Sequence, residues 1–189
     1  MANTTEQVSA RPLHDWEIAE AREVFDDSLR YDRVRVHECA TWTDKIHRLG
    51  HRLRGLPPPP AEEHNAITLG RSCFFPIPMP KTLATADHRL GMPWLIHELT
   101  HVWQYQHTGW VYLLKALWVQ ITLGAEGYKF GDADGLRAAR QKNWTFGKFN
   151  PEQQGNITMT YYLHKRANRP ASFLSAWEPF IDEIKQRHR

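Results

Sequence analysis

One stretch, HELTHVWQYQH from His97 to His107, constrains this chain more than any other. Residues four apart on a helix share a face, about 5.4 Å along the axis. His97 and His101 therefore direct two imidazoles at one point, with the Glu98 carboxylate beside them. Apolar residues flank the trio at Trp94, Leu95, Ile96, Leu99, Val102 and Trp103, which predicts a helix covered on several sides. Burying His, Glu and His together is unfavourable unless they share a partner that satisfies them. A metal ion does so, and HExxH is the spacing that zinc hydrolases use. The expected cofactor is Zn2+, held by His97 and His101, with Glu98 as the general base that takes a proton from water and passes it on to a leaving amine.

Two imidazoles do not complete such a site. His107 stands where the pattern HExxHxxGxxH has its third ligand, but the glycine that lets the chain bend back is replaced here by Gln104. Along an unbroken helix, ten residues separate His97 from His107 by about 15 Å. The other solution is a carboxylate on a second helix, as in gluzincins, and Glu126 and Glu152 are the candidates. Glu152 is preferred. Asn150 and Pro151 signal a helix start, the N-terminal dipole favours an ionised carboxylate there, and Asn156 lies one turn on, able to bond a ligand histidine. A donor to the developing oxyanion is also expected. Tyr105, Tyr161, Tyr162 and His164 come into question, with His164 and Tyr161 ranked first.

The rest of the chain reads as one domain. Residues 1–12 look like a disordered leader, and residues 13–189 form a single unit of ordinary size. Helices are expected over Leu13–Leu29, Thr43–Leu53, Pro93–His107, Trp110–Leu123, Pro151–Ala167 and Phe173–Arg187. RVRVHE alternates as a strand, and 66–75 reads as a hairpin turning at Gly70–Arg71. Pro57–Pro60 is a stiff connector, 76–93 reads as irregular, and 124–147 reads as mixed and glycine-rich. Cys39 and Cys73 form no disulfide framework, and Cys73 reads as a core residue. A net charge of +3 spread along the chain gives no reason to expect a nucleic-acid partner. The Trp110–Leu123 segment is too short to span a bilayer and contains Lys115, so no stable membrane insertion is expected. No basic and apolar signal sequence opens the chain, which suggests cytoplasmic synthesis, with export by a dedicated machine left open.

Three stretches together, DWEIAEAREVFDDSLRYDRVRVHECATWTDKIHRLG, NAITLGRSCFFP and LIHELTHVWQYQ, resemble the metallopeptidase-type core domain of extracellular contractile injection systems. The resemblance covers about residues 13–107. It implies a zincin-like α+β fold, in which a small, mostly antiparallel sheet packs on the HExxH helix and further helices follow. It also implies a sheet edge, here the 66–75 hairpin, that can hold an extended peptide by strand addition. The leading expectation is a zinc metallopeptidase acting on a protein or peptide substrate. Two others stand beside it: a peptidoglycan-directed effector peptidase, and a zinc-stabilised, non-catalytic module with partners in a secretion apparatus.

Overall fold

A computed structural model describes residues 10–86, 90–110 and 127–187. Among them, four strands form one sheet in the order β1-β2-β4-β3: Ala10–Arg11 (β1), Arg35–His37 (β2), Ile67–Leu69 (β3) and Ser72–Phe74 (β4). β1–β2 and β3–β4 are antiparallel and β2–β4 is parallel, so the sheet is mixed. β1 falls inside the expected leader, where Ala10 and Arg11 pair with His37 and Val36.

The period-2 alternation of strands gives this small sheet two distinct faces. Val36, Cys73 and Thr68 pair across β2, β4 and β3 and are all buried. On the flanking positions His37 stacks on Phe74, with ring centroids 4.3 Å apart, and Trp42 meets Phe74 edge-on. Trp42 opens α2 (Trp42–Leu53), which follows α1 (Asp15–Phe25) in the chain.

The chain then runs through α3 (Leu83–Ala86) into α4 (Met92–Thr108), the helix that carries HExxH. Pro93 occupies its first turn, and Gly109 ends it with φ +66°, a conformation that glycine adopts without strain. Twelve of the helix's seventeen residues are buried, from Met92 to Gln104 with Trp94 excepted. Such coverage takes several neighbours: β3 and β4 pack on α4, as do α1 and α6 (Pro151–Arg166). α4 and α6 approach closely enough for the Thr100 and Thr158 hydroxyls to hydrogen-bond at 2.6 Å in the interior.

Two expectations are corrected. The segment 76–93 is not irregular throughout, because Leu83–Ala86 forms α3; within the mixed, glycine-rich 124–147, Asp132–Gln141 forms α5. The single terminal helix is two short ones, α7 (Ala171–Leu174) and α8 (Glu178–Lys185), with Pro179 in the first turn of the second. Proline lacks the N–H that a continuous helix needs at that point. The expected Trp110–Leu123 helix lies, beyond Trp110, outside the described residues. No helix among the described residues is long and apolar enough to cross a membrane.

Candidate metal centre

Glu152 reaches the HExxH helix because of how α6 starts. The Asn150 side chain accepts from the Gln153 backbone N–H at 2.9 Å, while Gln153 Oε1 accepts from the Asn150 N–H at 3.0 Å. This reciprocal cap fixes the first turn and puts Glu152 in it, facing α4. His97 Nε2 lies 3.2 Å from His101 Nε2 and 3.3 Å from Glu152 Oε2, and His101 Nε2 lies 3.6 Å from the same oxygen. Four ligands about 2.0–2.1 Å from a tetrahedral zinc would stand roughly 3.3 Å apart. The triangle fits three corners of that tetrahedron, and the donor set of two imidazoles and a carboxylate suits the same ion. All three side chains are buried, so His97, His101 and Glu152 can hold a metal ion. The fourth corner is where a catalytic site keeps water.

The electrostatics follow from burial and proximity. Desolvation alone would lower the His101 pKa, but the Glu152 charge and hydrogen bond outweigh it and raise it to about 9. Burial pushes the Glu152 carboxyl up, and the charge of His101 with hydrogen bonds from both imidazoles more than reverses that, leaving it well below the usual carboxylate range. Without metal, the trio is thus held together as an ion pair.

Four further residues place the ligand histidines and Glu98. Gln104 Oε1 lies 2.9 Å from His101 Nδ1, and its amide nitrogen donates to the Pro151 carbonyl and to Gln154 Oε1. Since Gln104 Oε1 can only accept, His101 carries its proton on Nδ1 there and presents Nε2 to the centre. Glu98, also buried, accepts from Thr68 Oγ1 at 2.7 Å. Thr68 belongs to the row of the sheet that faces α4, so edge strand β3 fixes the carboxylate. Gly155 lies against the His97 ring, and Tyr128 stacks on that ring with centroids 6.3 Å apart. Tyr128 is held by α6: Asn150 donates to the Gly127 carbonyl, Gln153 to that of Lys129 and Asn156 to that of Tyr128 itself.

The sequence-predicted residues are distributed unevenly. His97, Glu98, His101 and Glu152 come together. His107 turns away, its Nε2 3.0 Å from the Ser28 carbonyl and its ring on Trp103. Glu126 lies outside the described residues. Asn156 bonds no ligand histidine directly and acts through the Tyr128 carbonyl. His164 and Tyr161, ranked as oxyanion donors, are not brought to the centre. His164 is twelve residues along α6 from Glu152, about 18 Å by helical rise, and packs on Phe173 and Trp177. Tyr161 is buried nine residues along, about 13 Å. Tyr105 packs on Trp110, and Tyr162 Oη donates to Glu20. Tyr128 was missed because its approach depends on side-chain to backbone bonds between segments more than twenty residues apart, and no local pattern announces them. The sequence marks Gln104 only by the bend it removes, because its hydrogen-bonding role has no spacing signature.

Cys39 and Cys73 are not joined in a disulfide, as expected. Cys73 is fully buried near Glu98 and Thr68, and burial, with the Glu98 charge, pushes its thiol pKa up, so it is an unreactive packing group.

Compared with known proteins, the chain is similar to the type VI secretion system spike protein VgrG2b of Pseudomonas aeruginosa. The two are 30% identical over 174 residues, which cover 87% of this chain and 14% of the spike protein. The chain thus spans about one seventh of the length of that relative. No family model matches the chain, and no solved structure matches it.

Proposed function

We propose that this protein is a zinc metallopeptidase. The observation that carries the reading is the buried triangle of His97, His101 and Glu152 with the Glu98 carboxylate one residue along the same helix. Bound zinc would supply Lewis acidity to the scissile carbonyl and lower the pKa of a water molecule. Glu98, oriented by Thr68, accepts the proton of that water and hands it to the leaving amine. His101 is kept in the ligand tautomer by Gln104, and Gly155 and the Tyr128 ring both pack on His97. Ile67–Leu69 is an edge strand lying along α4. A strand at the edge of a sheet can receive an extended peptide by strand addition, here beside Glu98, which makes a peptide or protein the substrate of choice.

The similarity to a secretion-system spike protein supports delivery by, or assembly with, a secretion apparatus. It also favours a second reading, in which the zinc-bound domain is a non-catalytic module of that apparatus. Glu98→Gln separates the two. The substitution leaves the three ligands in place, so the variant should bind zinc in the same amount as the parent. Peptide hydrolysis should fall by a factor of about 10² or more, the range over which a positioned proton acceptor contributes. Zinc retention with unchanged hydrolysis, or no hydrolysis by the parent on any of a peptide library, denatured casein and muropeptides, would discard the enzyme reading.

A further inference from the structure

α2 carries a second pair of histidines one turn apart, and a second carboxylate comes to meet it. His47 and His51 have ring centroids 4.7 Å apart, tilted by 58°, close to the 5.0 Å and 73° of His97 and His101. His47 Nε2 lies 3.1 Å from Glu63 Oε1. One ring nitrogen of each histidine and one Glu63 oxygen all lie within 4.8 Å of one another. We propose that His47, His51 and Glu63 form a second divalent-metal site, independent of the first and selective for borderline ions such as Zn2+ over Mg2+ and Ca2+.

The surroundings prepare these groups as ligands. His51 Nδ1 lies 2.8 Å from the Pro57 carbonyl. A carbonyl can only accept, so the proton sits on Nδ1 and Nε2 keeps its lone pair. The stiff Pro57–Pro60 run carries the chain away from α2 and back. A turn closed by the Glu63 N–H donating to the Pro60 carbonyl at 3.0 Å then aims Glu63 at His47. Asp44, one turn before His47, accepts from the Asn65 backbone N–H at 3.0 Å and bonds His64 Nδ1 at 2.9 Å. The return of the loop is therefore fixed from the same helix. Two imidazoles with one carboxylate are a borderline set, whereas Mg2+ and Ca2+ prefer an all-oxygen one. His47 and His51 are half-buried and Glu63 is exposed, which leaves room for water to complete the coordination. An ion here would tie the loop over 57–65 to α2. That loop leads directly into β3, the strand whose Thr68 holds Glu98, so the site would stiffen the approach to the edge proposed to receive substrate.

The test uses the full chain, freed of metal and then equilibrated with buffered ZnCl2 from the nanomolar to the micromolar range, with bound zinc counted by elemental analysis. Two equivalents are expected for the parent and one for the His47→Gln/His51→Gln double variant, which keeps the tighter one. His97→Gln should lose the tighter equivalent and keep the weaker. Glu63→Gln alters one exposed carboxylate and should weaken the second step alone. MgCl2 should fill neither. Slower amide exchange over 57–65 on binding of the second equivalent is also expected. A parent that binds one equivalent, or a second equivalent undiminished in the double variant, overturns the proposal. So does a second equivalent that binds without protecting 57–65.

Discussion

At Gly155 a hydrogen atom stands where any other residue would place a carbon. A Cβ there would lie 2.6 Å from His97 Cε1 and 2.8 Å from both Nδ1 and Nε2, closer than carbon and ring atoms approach one another. Alanine is the better helix former by about 1 kcal/mol, so Gly155→Ala should leave α6 intact while pushing the His97 imidazole off the triangle. The expected result is a helical content equal to the parent's with zinc affinity weakened about 10- to 100-fold, the range seen when groups supporting a ligand are changed. Competition against a chromophoric chelator measures it, and an unchanged affinity would show that His97 can bind from another position. The HExxH trio was legible in the sequence because its logic is local to one helix. Glu152 was legible from a cap, a proline and a dipole. Tyr128 and the Gln104 contacts were not, since each depends on where α6 and the loop before it come to rest.

Among the elements, β1 is the least expected, being two residues long. Arg11 explains why it is ordered. Its guanidinium gives two hydrogen bonds of 2.8 Å to Glu17 and one of 2.6 Å to Glu38, and Glu17 is wholly buried. Glu17 in turn accepts from the His14 backbone N–H at 2.7 Å at the start of α1. One side chain thus joins β1, α1 and the end of β2. Burial alone would lower the Arg11 pKa, and its bonds to Glu17 and Glu38 outweigh that and raise it. Arg11→Ala would strand the Glu17 carboxylate in the interior, and the expected loss of unfolding free energy is about 3 kcal/mol. Arg11→Lys, which keeps the charge without the fork, should lose less. Urea denaturation of the two variants checks the order, and equal stability of Arg11→Ala and the parent would refute it. Helix and strand periodicity placed α1, α2, α4, α6 and the hairpin within a few residues. It did not place β1, whose order comes from a long-range ion pair rather than from its own two residues. α5 escaped because glycines and charges obscure its apolar positions, Leu136 and Ala139.

For the molecule as a whole, the candidate metal centre joins α4 to α6, and β3 packs on α4 beside it. Occupation of the centre should therefore stabilise the entire fold. At zinc concentrations about a hundredfold above Kd, linkage contributes about 2.7 kcal/mol, or roughly 5–10 °C in Tm for a chain of this size. Chelation should remove it, and re-addition of zinc restore it. The metal-free protein should also respond to pH. The His101 pKa is about 9 in the folded state against an ordinary 6.5. The stabilisation from its protonation is therefore complete below pH 6.5 and is lost as pH rises through 9. Zinc must displace that proton, so zinc affinity should strengthen with rising pH over the same window. Tm measured with and without zinc from pH 6 to 9.5 should show a widening gap. A metal-free Tm that stays level or rises across the window would count against the ion pair.

The sequence by itself determined the HExxH helix, its burial and the identity of three of the groups at its centre. These follow from spacing on one helix and from the hydropathy around it. It also marked the helix start that delivers Glu152. Tertiary structure decided that Glu152 meets the histidines and that His107, His164 and Tyr161 do not. It also decided that Thr68 holds Glu98, and that His47 and His51 find Glu63 across the proline loop. The physical reason is the same in each case: a ligand triangle a few ångströms wide is set by how two elements pack, and packing depends on contacts between residues far apart in the chain.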